Sequence, residues 1–189
     1  LLIGLLAVLL VHLLMPDIST VWSNQFDHYA LLIKKQFNVA VNTAQLQFFA
    51  RFATGFQAAF ISLSVLINLL LARGLQSMLY NPGQLRPELE SIRLSQWQVL
   101  VLLALLIGSF LRIELAQDAL PVVVFIFVLA GLSVFHALAH LKNLAKKWIL
   151  LVYVLLVIFF PYLAAAFTLL AVVDSVANLR HRVHSKMKV

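Results

Sequence analysis

The chain of 189 residues is 63% hydrophobic and only 11% charged, with a net charge of +7 and a mean hydropathy of +1.00. Because soluble domains carry about 25% charged residues, this composition excludes a water-soluble globular domain and predicts an integral membrane protein. Outer-membrane strands are excluded because they alternate apolar and polar residues. The chain has no cysteine, which excludes disulfides, thiolate metal sites and thiol nucleophiles. We therefore expect an all-α fold, a polytopic transmembrane helical bundle that forms a single membrane domain.

The first apolar run covers residues 1–15 and stops at Pro16, since proline disfavours helix in the residue before it. At about 1.5 Å per residue the run is shorter than the ~30 Å hydrocarbon core, so we expect a membrane helix that is truncated at its start. Residues 16–51 mix polar and aromatic side chains, with Phe26, Tyr29 and Ile33 at helical spacing. This pattern predicts an amphipathic helix that lies at the membrane interface or caps the bundle.

The middle of the chain contains three further apolar runs. They predict spans at residues 52–72, 97–111 and 119–140. Gly55 and Ala59 lie four residues apart, a spacing of small residues that lets another helix approach closely. A charged loop separates the first two spans, and a short polar link with Glu114 and Asp118 separates the last two. Pro121 is expected in the first turn of its helix, where proline is tolerated.

The last apolar segment, residues 148–176, is broken only at Pro161. A single kinked helix would give five spans and would place the preceding lysines and the basic tail, residues 179–189, on opposite sides of the membrane. Two short helices, 147–160 and 161–178, give about six spans and collect most lysines and arginines on one side. The positive-inside rule favours six spans, although each short helix must thin the bilayer or be shielded by neighbours. We expect a bacterial inner-membrane protein with a cytoplasmic carboxy terminus.

The stretch GLSVFHALAHLKNLAKKW contains His136 and His140 four residues apart, on one face of a helix. That spacing is able to bind a metal, but the stretch has no glutamate between the histidines and no third ligand at a fixed spacing. We expect no metal and no cofactor. In the alternative, His140 meets lipid headgroups while His136 bonds to another helix.

Basic residues at the ends of the apolar runs are expected to contact lipid headgroups rather than nucleic acid. These residues are Lys142, Lys146, Lys147, Arg180 and Arg182.

Asp174 follows the apolar run FTLLAVV. An acidic group at that depth is costly unless it is paired, hydrated or protonated. Asn178 lies one turn further on the same face, and together with a histidine of the preceding span Asp174 would form a proton relay or clamp two helices. In the alternative, Asp174 is a structural acid that is compensated by Arg180.

Other polar groups within the spans have two interpretations. Asn68 and His12 are expected to form helix-to-helix hydrogen bonds or, in the alternative, to contact a ligand in a cavity. Trp22, Phe26 and Tyr29 predict either an outer lid over such a cavity or an aromatic belt at the interface.

The carboxy-terminal third resembles the end of the YybS-like bacterial membrane proteins, a family of predicted membrane proteins. The resemblance covers about residues 131–182 and is carried by Gly131-Leu132, His136-Ala137, Trp148, Tyr153, Pro161, Asp174 and Asn178-Leu179-Arg180. That family has been likened to the substrate-binding subunits of energy-coupling-factor vitamin transporters, which have six helices and a small-molecule cavity that opens outward. The resemblance implies six spans and a role in transport, and it assigns no catalytic residue.

The sequence has no phosphate-binding glycine loop, no nucleophile elbow and no intramembrane HExxH motif. We therefore expect a non-enzymatic small-molecule binding or transport subunit in the lipid bilayer, which works with a protein partner. The alternative is a scaffold subunit of a membrane complex that docks through residues 17–50 and the basic tail. A membrane enzyme that uses Asp174 with His136 ranks third, because no substrate-anchoring motif accompanies these residues.

Overall fold

The computed structural model describes residues 2–39 and 42–180, and in these residues it contains α-helices and no strands. This agrees with the expected all-α class. The helices are α1 (Leu2–Leu14), α2 (Ile18–Phe37), α3 (Thr43–Ala50), α4 (Ala53–Tyr80), α5 (Leu85–Glu90), α6 (Gln96–Phe110), α7 (Glu114–Leu141), α8 (Lys146–Ile158) and α9 (Phe160–Ala177).

The helices pack into two compact units. The first consists of Leu1–Val65 and Leu103–Val123, and the second of Leu66–Leu102 and Val124–Val189. Each unit therefore combines segments that are distant from each other along the chain.

Among the described residues, three helices are long and apolar enough to cross a membrane: α4, α7 and α9. A fourth crossing results if α1 and α2 together form one broken span, and α6 is a shorter apolar helix. The chain is therefore an integral membrane protein with several apolar helices, and the count of six spans stays a prediction.

In the first unit, α1 ends two residues before Pro16 and α2 begins two residues after it, with an angle of 92° between the two helices. The expected break at Pro16 is confirmed. The predicted amphipathic segment consists of α2 and α3, which pack against each other. Asn42 starts α3, because its side-chain oxygen accepts hydrogen bonds from the backbone N–H groups of Ala44 and Gln45 at 3.1 and 3.3 Å, as expected for an N-cap.

Two helices extend beyond the spans predicted for them, whose bounds stay predictions. The helix of the span predicted at residues 52–72 continues to Tyr80, because the following residues favour helix apart from Gly74, which costs only about 1 kcal/mol. The helix of the span predicted at residues 119–140 begins at Glu114, so the predicted polar link contains the first turn of α7. An acidic residue is favourable there, near the positive end of the helix dipole. Pro121 consequently lies inside α7 and not in its first turn.

In the second unit, residues 148–176 form two helices rather than one. α8 ends at Ile158, α9 begins at Phe160 with Pro161 in its first turn, and the two helices pack against each other. Phe167 of α9 packs in the core with Val128 of α7. The contact between α7 and α9 is close enough that a Cβ atom on Gly131 would lie 2.1 Å from the backbone oxygen of Phe167.

Candidate functional site

A cavity of about 430 Å³ lies in the first unit. It is lined by Ser19, Thr20, Ser23, Asn24, Gln47, Ala50, Arg51, Arg112, Glu114, Gln117 and Asp118. All of these side chains except that of Ala50 are polar or charged. In a chain that is 63% hydrophobic, a cavity with convergent polar groups is the strongest candidate for a binding site.

One wall of the cavity is a polar face of α2. Ser19 and Ser23 lie four residues apart, as do Thr20 and Asn24, so the four side chains share one side of the helix. The indole N–H of Trp22 donates a hydrogen bond to the Thr54 hydroxyl at 3.0 Å. This bond fixes α2 against the start of α4 and orients the polar face.

Asp118 of α7 is a buried acid of the lining and is 5% exposed. Its Oδ1 accepts a hydrogen bond from the Gly55 backbone N–H at 3.1 Å. His12 of α1 places Nε2 3.6 Å from the Asp118 Oδ2. A buried carboxylate is costly without such partners, so α1, α4 and α7 together determine its position.

His12 was expected to form a helix-to-helix hydrogen bond or, in the alternative, to contact a ligand in a cavity. It faces Asp118 at an ion-pair distance, and neither of its buried ring nitrogens has a hydrogen-bond partner among the described residues.

Gly55 permits the close contact between α4 and α7. A Cβ atom at this position would lie 2.0 Å from the backbone oxygen of Asp118 and 2.9 Å from the Pro121 ring. The predicted close approach of a helix at Gly55 is confirmed. Pro121 adds a second effect, because proline has no N–H and therefore removes the donor that the backbone carbonyl of Gln117 would use within the helix. Gln117 lines the cavity, so its backbone carbonyl is available to accept a hydrogen bond next to the cavity.

Arg51 and Arg112 lie at the rim of the cavity, and both are exposed. Neither arginine forms an ion pair with another described residue, whereas Arg73, Arg86 and Arg180 do. Both also line a neighbouring cavity of about 410 Å³, whose other lining residues are Phe48, Phe52, Leu106, Ser109, Phe110 and Gln117.

The two histidines predicted as a site lie in the second unit and bond to different elements. The His136 Nδ1 lies 2.8 Å from the backbone oxygen of Leu132. Since a carbonyl only accepts, Nδ1 carries the proton, and Nε2 accepts from the Tyr153 hydroxyl at 3.3 Å. The His140 Nδ1 lies 3.3 Å from the carboxylate of Glu90.

Asp174 is 1% exposed and is bonded to Arg180. The guanidinium donates to Asp174 Oδ2 at 2.9 and 3.2 Å, and the Arg180 backbone N–H donates to Oδ1 at 3.4 Å. Of the two interpretations of Asp174, compensation by Arg180 is the one that these contacts agree with, and no hydrogen bond joins Asp174 to a histidine among the described residues. Asn178 provides the reason: it adopts the left-handed conformation with φ 51°, which ends α9 and returns the chain toward Asp174.

The other predicted site residues are dispersed. Arg180 was expected at the lipid headgroups, but it is half-buried and donates to the backbone oxygens of Glu90 and Ile92, the latter at 2.6 Å. Asn68 is exposed on α4. Three lysines are exposed near the junction of α7 and α8, namely Lys142, Lys146 and Lys147. Arg182 lies outside the described residues.

Sequence reasoning missed the cavity because its charged residues appeared to be flanks and linkers. Asp118, for example, was predicted to lie in a polar link. A usable signal was present: in the predicted order of spans, residues 16–51 follow the first span and the link with Glu114 and Asp118 follows the third, so both would fall on the same side of the membrane. In the described part of the chain, no three His, Cys, Asp or Glu side chains lie close enough together to hold a metal ion.

Residues 1–175 match the model of the DUF2232 family of predicted membrane proteins. The chain belongs to this family. The DUF2232 match covers every residue of the cavity lining as well as Asp174. Neither the curated proteins nor the solved structures gave a match.

Proposed function

We propose that this DUF2232 protein is a non-enzymatic small-molecule binding or transport subunit of the bacterial inner membrane, with a cytoplasmic carboxy terminus. The observation that carries the proposal is the cavity of about 430 Å³ with its polar and charged lining. This volume falls within the range of about 300–1,000 Å³ that is usual for ligand pockets. Charged residues within membrane proteins are costly to keep, and they commonly mark ligand or ion pathways.

The fixed geometry of the lining gives further support. Asp118 is bonded to Gly55 and lies near His12 before any ligand enters, so little ordering would be required on binding. The resemblance of residues 131–182 to the YybS-like proteins, and of those to vitamin-binding transporter subunits, points to the same role. No nucleotide-binding motif is found in the sequence, so an ion gradient or a partner protein would supply the energy for transport.

The test is a ligand screen with the intact protein in mild detergent. Native mass spectrometry would detect a retained small molecule, and thermal unfolding would detect stabilisation by added compounds. Ser23→Trp would fill the cavity from α2, whereas Gln25→Trp would place the same side chain on an exposed position of that helix outside the lining. We expect binding to be lost in the first variant and kept in the second. Equal binding in both would contradict the proposal.

A scaffold subunit is the second candidate. It is favoured by large apolar side chains on α2 that the chain itself leaves uncovered, such as Leu31, 67% exposed, and Phe37, 65% exposed. This function predicts a stoichiometric protein partner without a bound small molecule, and it predicts that Leu31→Gln together with Phe37→Gln releases that partner. The solute-binding proposal predicts instead that the double variant retains its ligand.

A further inference from the structure

Arg51, Arg112 and Gln117 line both the polar cavity and its neighbour in the first unit. No other described residue is common to the two linings. A molecule that contacts these three side chains therefore has access to a polar and an apolar compartment.

The two arginines at this junction are not held in ion pairs. The polar lining contains as many acids as arginines, namely Glu114 and Asp118 beside Arg51 and Arg112, so its formal charges balance. Neither arginine, however, has an ion-pair partner among the described residues, and Asp118 accepts a hydrogen bond from the Gly55 N–H instead. Two exposed guanidinium groups therefore keep their donors available. Guanidinium groups bind carboxylate and phosphate groups through paired N–H donors. The available donors of the two arginines thus favour a ligand with an anionic group.

The second compartment has a different chemistry. Four of its eight lining residues are large and apolar, namely Phe48, Phe52, Leu106 and Phe110, and the ring centroids of Phe48 and Phe52 lie 5.2 Å apart. Aromatic side chains of this kind bury the apolar part of a ligand and stack with its rings.

We infer that the two cavities form one site for an organic anion, with a carboxylate or phosphate between Arg51 and Arg112 and an aromatic or alkyl part on the phenylalanines. This inference rests on the proposed function and specifies its ligand class. The same chemistry is offered by a soluble organic anion and by the headgroup region of an anionic lipid.

The experiment measures binding to the full chain in mild detergent, with phenyl phosphate as the soluble probe and phenol and inorganic phosphate as probes of each part alone. A second arm uses nanodiscs of phosphatidylcholine with and without phosphatidylglycerol and measures the thermal midpoint. Each arm is repeated with Arg51→Gln and Arg112→Gln. Because a hydrogen bond to a charged group contributes a factor of about tenfold or more to affinity, each variant is expected to weaken phenyl phosphate binding by about that factor.

The matched control is Lys34→Gln with Lys35→Gln, which removes two exposed charges of α2 that line neither cavity. Arg51→Lys keeps the positive charge but not the paired donors, so this variant should bind phenyl phosphate with intermediate affinity. Such binding would show that the site is still folded. A response to phenyl phosphate that depends on both arginines identifies a soluble ligand, and one to phosphatidylglycerol alone identifies a lipid.

The inference is overturned if neither probe binds, or if the arginine variants and the lysine variant respond equally. The inference is also overturned if a neutral or cationic compound fails to bind the Ser23→Trp variant but still binds both arginine variants. That result would leave the proposed function intact. Failure of every compound to act through the cavity would remove the proposed function as well.

Discussion

Replacing Gly55 with alanine is expected to destabilise the protein, although alanine is the better helix former. In α4 the substitution should gain about 1 kcal/mol of helix propensity. The new Cβ atom, however, would lie 2.0 Å from the backbone oxygen of Asp118, whereas an ordinary contact begins at 3.4 Å. The two helices must therefore separate by about 1.4 Å, and overpacking of this kind costs about 1–3 kcal/mol or more.

We expect the upper end of that cost, because the obstructing atom belongs to the backbone of α7 and cannot rotate away. The net loss for Gly55→Ala is then about 2 kcal/mol, which lowers the thermal midpoint by roughly 4–8 °C for a chain of this length. Separation would also lengthen the hydrogen bond from the Gly55 N–H to Asp118. The cavity should consequently lose affinity for any ligand that it binds.

Gly74→Ala is the matched control, since Gly74 lies in the same helix and its new Cβ atom would make only an ordinary contact of 3.6 Å with Leu85. It should gain about 1 kcal/mol. Thermal unfolding in detergent, followed by circular dichroism, compares the two variants directly. A Gly55→Ala protein that is as stable as the wild type would refute the close approach of α4 and α7.

Three further predictions concern single interactions. Trp22→Phe removes the 3.0 Å hydrogen bond to Thr54 and should lower the free energy of chemical unfolding by about 1 kcal/mol. An unchanged unfolding midpoint would show that this bond does not hold α2. Asp174→Asn leaves the Arg180 guanidinium without its buried partner and should lower the free energy of unfolding by about 3 kcal/mol. The double variant Asp174→Asn with Arg180→Met should lose less than the sum of the two single variants. Strict additivity of the two losses would contradict the pairing. Burial raises the pKa of Glu90, but hydrogen bonds from basic neighbours lower it more, so its pKa lies below the ordinary 4.5. The ionised carboxylate therefore stabilises the fold above pH 4.5, and this stabilisation is lost as the pH falls through the pKa of Glu90 in the folded protein. Melting curves between about pH 6 and 3.5 should show a smaller decline for Glu90→Gln than for the wild type, and parallel curves would contradict this.

Composition and local patterns predicted the features that depend on neighbouring residues. The apolar runs indicated a helical membrane protein, and Pro16 indicated a break that the structure places between α1 and α2. The small residue Gly55 indicated a close helix contact, which is also found. These features follow from chain periodicity and from sterics, which a sequence displays directly.

The candidate site depended on contacts that no local pattern reveals. The hydrogen bond between Gly55 and Asp118 joins residues 63 positions apart, and the polar residues of α7 were assigned to a linker because apolar periodicity begins only after them. For Asp174 the sequence left two partners open, a histidine and Arg180. One residue in the left-handed conformation, Asn178, reverses the chain and selects Arg180 over the histidines.

Arg180 binds main-chain oxygens of Glu90 and Ile92 in addition to Asp174. Every residue type carries the same main-chain oxygen, so the identities of the residues at these two positions are free to change without loss of the bonds. The number of residues in this connection is not free, because an insertion or deletion would move the oxygens away from the guanidinium. For evolution and for protein engineering, the length of the connection that precedes α6 should therefore be kept more strictly than the residue type at position 92.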